Sequence, residues 1–214
     1  NKAGSEREKV DVSADVARFW DRTAAKYAKQ PVADPAAFER KIAITRALMR
    51  PDHVVIDLGC GTGSLALRLA DAGREVHGLD ISPEMIRIAR GKADAQGAEN
   101  VTFHVGALDE TFKTFGPATF DGICAYSLLH LVSDRAATLR QIHELLKPGG
   151  LGESWAPYAP LLTVMRWAGL APPVEVFPIA TLVREIEAAG FEAIEQPDVG
   201  AKSNIGFVTA RKPR

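Results

Sequence analysis

The chain has little that would tie it to a membrane, a nucleic acid or an oxidising compartment. No apolar run approaches the roughly 18 residues that span a bilayer. The opening NKAGSEREKV is charged and lacks the apolar segment of a secretory signal, so a cytoplasmic location is expected. Its 26 Lys and Arg balance 27 Asp and Glu, for a net charge of −1. A nucleic-acid or anionic-lipid surface therefore has no global support. Only two cysteines occur, Cys60 and Cys124, both in apolar strand-like surroundings. That number excludes a disulfide scaffold and suits a reducing compartment. The histidines His53, His77, His104 and His143 show no spacing that gathers metal ligands, so no metal is expected. Neither an internal repeat nor a low-complexity tract is present.

What is there alternates. The 214 residues fit one domain with a large core. Residues 13–28 read as an amphipathic helix behind Ser13 as N-cap, with Val16, Phe19, Trp20, Thr23, Ala24 and Tyr27 on one stripe. Asp34-Pro35 starts a second helix that runs to Pro51. Thereafter short apolar runs at 53–59, 75–80, 101–107 and 120–129 alternate with helical stripes, the pattern of a parallel sheet covered on both faces. GLGESWA is a poor strand, because Gly152, Glu153 and Ser154 interrupt a run that should be apolar. A Pro-rich aromatic segment follows, then a helix near 179–189 and two strands, FEAIEQ and NIGFVTARK.

The stretch VVIDLGCGTGSLALRLA places three glycines in five positions between a strand and a helix. Gly59, Gly61 and Gly63 remove Cβ atoms that would keep a ligand off the backbone and permit positive φ. The amides opening the next helix favour an anionic or electron-rich group. No Gly-Lys-Ser/Thr follows, which excludes a Walker loop. The spacing is GxGxG with Ser64 where a dinucleotide fingerprint has its third glycine, which points away from NAD. Asp80 ends the second strand, 21 residues after Gly59, where a carboxylate accepts hydrogen bonds from ribose hydroxyls. Capping the helix that begins at Ser82 is its alternative role.

DLGCGTG, LDIS, FDGICAYSLLHL and LLKPGG, in this order and spacing, resemble the class I S-adenosylmethionine-dependent methyltransferases, over about residues 38–150. The resemblance implies an α/β fold with a doubly wound, mostly parallel seven-stranded sheet whose last strand inserts antiparallel. It implies a helical lid at 1–50, a catalytic domain at 51–214 and a cap at 155–178. Asp57, Gly59, Cys60, Gly61 and Gly63 match the motif around the methionine part of S-adenosylmethionine, and Asp80 the ribose carboxylate. Ile81 and Met85 match apolar positions near ribose and adenine. The family commonly has an Asp after the third strand; Ala107 stands there, so adenine would rest on the Ala107 and Leu108 backbone, with Asp109 as a substitute. Ser127 and Leu128 fall where cofactor meets acceptor.

Methyl transfer from a sulfonium is an in-line displacement whose thioether leaving group needs no protonation. A base matters only if the acceptor must lose a proton, and His130 is the candidate, with Tyr27 on the lid as a second catalytic candidate. The expected substrate is a small apolar or aromatic molecule. The aromatic cap (Trp155, Tyr158, Trp167, Phe177) would wall its pocket or form a homodimer contact. Two other readings share these features: a nicotinamide-dependent oxidoreductase, and a non-catalytic S-adenosylmethionine-binding regulatory protein.

Overall fold

The computed structural model describes residues 2–32, 34–126, 128–156, 177–201 and 206–214. Two helices, α1 (Lys2–Tyr27) and α2 (Pro35–Leu48), lead into an alternating core. That core runs β1 (Val54–Leu58), α3 (Ser64–Leu69), β2 (Glu75–Asp80), α4 (Pro83–Gln96), β3 (Val101–Val105), α5 (Leu108–Phe115), β4 (Phe120–Ala125), α6 (Arg135–Leu145) and β5 (Leu146–Ala156). After the undescribed segment come α7 (Ile179–Ala188), β6 (Glu192–Glu195) and β7 (Gly206–Arg211). The predicted cap of α2 forms, Ala37 N donating to Asp34 Oδ1 at 3.0 Å, and α4 is capped by Ser82, whose Oγ accepts from Met85 N at 3.1 Å. The helix expected to start at Ser13 instead begins upstream, since α1 runs through that position. Residues 2–12 hold one glycine, no proline and several Lys, Glu and Arg, so propensity favours extending the helix.

The seven strands lie in the order β3-β2-β1-β4-β5-β7-β6. Strands β1 to β5 pair in parallel, and β7 inserts antiparallel between β5 and β6. The expected last-strand reversal is therefore present. GLGESWA, the poor strand of the sequence, is the C-terminal part of β5. It pairs with β4 on one side and β7 on the other, and those ladders outweigh local propensity. Gly152 is accommodated because Phe191 packs where a side chain would project.

One sheet face packs Ile56, Leu58, Phe120, Ile123, Leu146 and Leu182, and the other Val55, Cys124, Tyr126, Phe207, Ile42 and Leu65. Each such side chain contributes roughly 1.5–3 kcal/mol on burial. Strand order reverses at β1 and β4, so a crevice opens beyond their carboxyl ends, where open α/β sheets take ligands. Among the described residues no helix is long and apolar enough to cross a membrane.

Candidate cofactor crevice

β1 delivers the glycine loop to that crevice. Gly59, Gly61 and Gly63 all hold left-handed φ, at 72°, 53° and 77°. At Gly63, the N-cap of α3, a Cβ would lie 2.6 Å from the Phe103 ring and 3.0 Å from Ala89 Cβ. This glycine thus brings α3 close to β3 and α4, the packing that a third glycine provides in dinucleotide folds. Gly61 is less crowded: a Cβ there would meet Tyr27 Cε1 at 3.7 Å, an ordinary contact.

Asp80 ends β2 beside this loop. Its Oδ2 accepts from Gly61 N and its Oδ1 from Ser82 N, each at 2.9 Å. Each oxygen keeps a lone pair for another donor. Ser82, not Asp80, caps α4. Burial pushes the Asp80 carboxyl up, the Ser82 and Gly61 amides pull it down, and the net direction is upward. Asp57 is fully enclosed at the end of β1, and burial together with the Asp80 charge holds its carboxyl well above the usual range. Burial and the nearby Asp57 and Asp80 charges raise the Cys60 thiol, which packs beside Gly78 of β2.

The remaining predicted residues separate. Ile81 is half-buried beside Asp80, whereas Met85 is 2% exposed and belongs to the core under α4. Ala107 and Leu108 follow β3, half-buried, at the start of α5, and Asp109 is exposed. Leu128 lies against Gly59, 3.6 Å from its hypothetical Cβ. Ser127 is outside the described residues, as are Tyr158 and Trp167 and with them most of the aromatic cap and its proposed homodimer contact. Phe177 carries Arg135, whose guanidinium stands 4.0 Å over the ring.

His130 is 8% exposed, and burial pushes its pKa down to about 4. Its Nδ1 has no hydrogen-bond partner among the described residues. Tyr27 remains 45% exposed, packs edge-on to Trp20 at 6.2 Å, and feels both Asp80 and Asp57. Its phenol is raised by burial first and by those carboxylates second.

A second correction concerns the histidines. Sequence spacing separates His77 and His104, yet they sit on neighbouring strands β2 and β3, with Nδ1 and Nε2 3.1 Å apart. Phe115 and Phe120 pack around them, and burial lowers both pKa values. Among the described residues no three His, Cys, Asp or Glu side chains gather around a cation-sized space.

Three functional-looking groups escaped the sequence reading. Asp21 of α1 reaches Ser82 and Glu84. Thr45 of α2 and Glu153 of β5 form a buried contact at 2.6 Å, joined by Tyr126. Glu153 was visible as an interruption of β5, but nothing local revealed its partners.

Fold, strand order and glycine loop together give the chain the Rossmann-like architecture of class I methyltransferases. Residues 55–150 match the model of the methyltransferase domain family. The ubiquinone biosynthesis O-methyltransferase of Xylella fastidiosa is 38% identical over 96 residues, 45% of this chain and 38% of that protein. The uncharacterized methyltransferase YcgJ of Bacillus subtilis is 32% identical over 124 residues, 56% of this chain and 48% of that one. The chain thus spans less than half the length of these curated relatives. The YcgJ crystal structure superimposes with TM-score 0.66 at 18% identity, over 82% of this chain and 99% of that one. Phosphoethanolamine N-methyltransferase 2 of Haemonchus contortus, solved with S-adenosyl-L-methionine, gives 0.68 at 18% identity, over 82% and 53%.

Proposed function

We propose that the protein moves the methyl group of S-adenosylmethionine to a small apolar or aromatic acceptor. The observation that carries this is Asp80 beside the glycine loop: the Gly61 and Ser82 main-chain N–H groups fix its carboxylate, and each oxygen can accept a further hydrogen bond. That acceptor pair suits a vicinal diol, and the less crowded Gly61 suits an amino-acid tail laid against main chain. The family match over 55–150 and the O-methyltransferase relatives point the same way. An antiparallel β7 beside β5 differs from the all-parallel six-strand order of nicotinamide dehydrogenases.

When bound, the cofactor supplies an electrophilic methyl on a sulfonium. The chain's part is alignment and exclusion of water. Asp80 would hold the ribose, the Gly59–Gly63 main chain the methionine tail, and the Ala107 and Leu108 backbone the adenine. Ser127 and Leu128 would border the acceptor. His130, neutral at physiological pH, would present Nδ1 to the acceptor as a hydrogen-bond partner, orienting it and taking its proton late. Tyr27 would roof the site over Gly61.

Calorimetric titration tests the cofactor half. Asp80→Ala should weaken S-adenosylmethionine binding by about 1.5–3 kcal/mol, the range for charge-assisted hydrogen bonds. Equal affinity in a folded mutant removes the ribose assignment. A screen of candidate acceptors with labelled methyl donor tests the acceptor half; transfer to none but charged or macromolecular substrates overturns it.

A further inference from the structure

Ser82 is attached on two sides. Its backbone N–H donates to Asp80 Oδ1 at 2.9 Å, and its hydroxyl donates to Asp21 Oδ1 at 2.5 Å. The same Asp21 oxygen accepts from Glu84 N at 3.1 Å, so a carboxylate from α1 closes the first turn of α4 alongside Ser82 itself. Anionic groups are favoured there by the exposed amides of a helix start. Six residues on, Tyr27 of α1 stands over Gly61, and Gly61 N is the other donor to Asp80. Helix α1 therefore touches both residues whose amides orient the Asp80 carboxylate. Ser82 is fully buried in this arrangement.

We infer that Asp21 is a positioning residue: through Ser82 it clips α1 down as a lid over the crevice and makes the lid's docking and cofactor binding at Asp80 mutually dependent. The inference rests on the proposed role of Asp80. The reason is linkage. With α1 docked, Ser82 N and Gly61 N are held in place and Asp80 is oriented before any ligand arrives. With α1 released, that order must be restored on binding, so affinity falls. Reciprocity requires that a ligand on Asp80 also tighten the docking of α1. Asp21 hydrogen-bonds only Ser82 and the Glu84 amide in these contacts, and its charge also pushes the Asp80 carboxyl up; Asp21→Asn, which removes the charge but keeps an acceptor, separates the clip from that direct effect. The alternative is plain surface packing of α1 on α4, in which Asp21 adds stability with no bearing on Asp80.

The test compares wild type, Asp21→Ala and Asp21→Asn, titrated calorimetrically with S-adenosylmethionine and S-adenosylhomocysteine, with release followed by stopped flow. Trypsin cleavage after Arg22 and Lys26 reports docking of α1 with and without ligand. Asp21→Ala should lose about tenfold in affinity, mostly through faster release, and ligand should no longer protect Arg22 and Lys26. Asp21→Asn keeps an acceptor oxygen and should recover much of both effects. Hydrogen exchange in the ligand-free variants checks that only α1, and not the sheet, has loosened. Wild-type affinity and wild-type protection in a folded Asp21→Ala overturn the clip while leaving the cofactor reading intact. A wild type that binds neither compound removes the cofactor reading, and the clip with it.

Discussion

Glu153 gives the sharpest physical prediction, because it is a carboxyl where the strand needed an apolar side chain. It lies in register with Cys124 of β4, and Cys124 with Asp57 of β1, so one sheet face carries an acid, a thiol and an acid across three strands. Glu153 is 3% exposed. Its Oε2 is 2.6 Å from Thr45 Oγ1 and 3.6 Å from Cys124 Sγ, and its Oε1 has no partner among the described residues. Thr45 Oγ1 also meets Tyr126 Oη at 2.5 Å and Lys41 O at 2.9 Å. A threonine has one hydroxyl hydrogen. If Glu153 is protonated it can donate to Thr45, which donates to Lys41 O, and Tyr126 donates to Thr45's other lone pair. If it is ionised, Thr45 must turn to it and Lys41 O loses that bond. A bare Oε1 costs far more as a charged oxygen than as a carbonyl.

The balance is set by burial, which raises the carboxyl from 4.5 to about 7 against the lowering effect of hydrogen bonds from Thr45, Cys124 and Tyr126. The neighbouring Tyr126, Cys124 and Asp57 are all raised and supply no positive charge. Between pH 4.5 and 7 the folded chain keeps a proton on Glu153 that the unfolded chain has released. Stability therefore falls as pH rises through that window and levels off above it. At about 1.36 kcal/mol per unit, the loss from this group is about 3 kcal/mol. Glu153→Gln keeps a donor toward Thr45 and cannot ionise. Urea unfolding of both proteins from pH 4.5 to 8 measures the difference in stability, in which other titrating groups largely cancel. The mutant should gain on wild type by about 3 kcal/mol across the window, most of it before pH 7.5. A difference that is flat with pH refutes the reasoning, and one that moves the opposite way shows that Glu153 is ionised and paired.

Two further outcomes follow from the crevice. Gly63→Ala must place a methyl at φ 77° against Phe103 and Ala89, so it should destabilise the fold by about 2 kcal/mol or more, read by urea unfolding; a neutral result would mean that the loop relaxes freely. His130, depressed to about 4 by burial, should keep the nitrogen-15 ring shifts of a neutral imidazole from pH 5.5 to 8, and a titration midpoint near 6.5 would show that the ring is solvated.

The sheet and the crevice were legible for one reason: their signals are local. Asp57, the glycine loop and Asp80 fall at strand ends that periodicity places, and Asp34 and Ser82 cap the helices they precede. Even the departure from a dinucleotide fingerprint was readable, since Gly63 performs the close packing that Ser64 could not. The start of α1 was misplaced because Ser13 has the chemistry of a cap, while the choice between cap and interior depends on what lies upstream.

What escaped was built by pairing across distance. His77 and His104 are 27 residues apart in the chain and become neighbours only because β2 and β3 lie side by side. Asp21 meets Ser82 across 61 residues, and Thr45 meets Glu153 across 108. Each looks ordinary in its own segment, a polar residue on a helix or an interruption in a strand. Binary patterning records which side of an element faces inward, and so it registers Glu153 as a defect. The defect becomes a partner only when α2 is laid across β4 and β5, because a buried polar group must be matched by groups from other elements. A polar residue that breaks an otherwise buried strand is therefore better read as a demand for distant partners than as evidence against the strand.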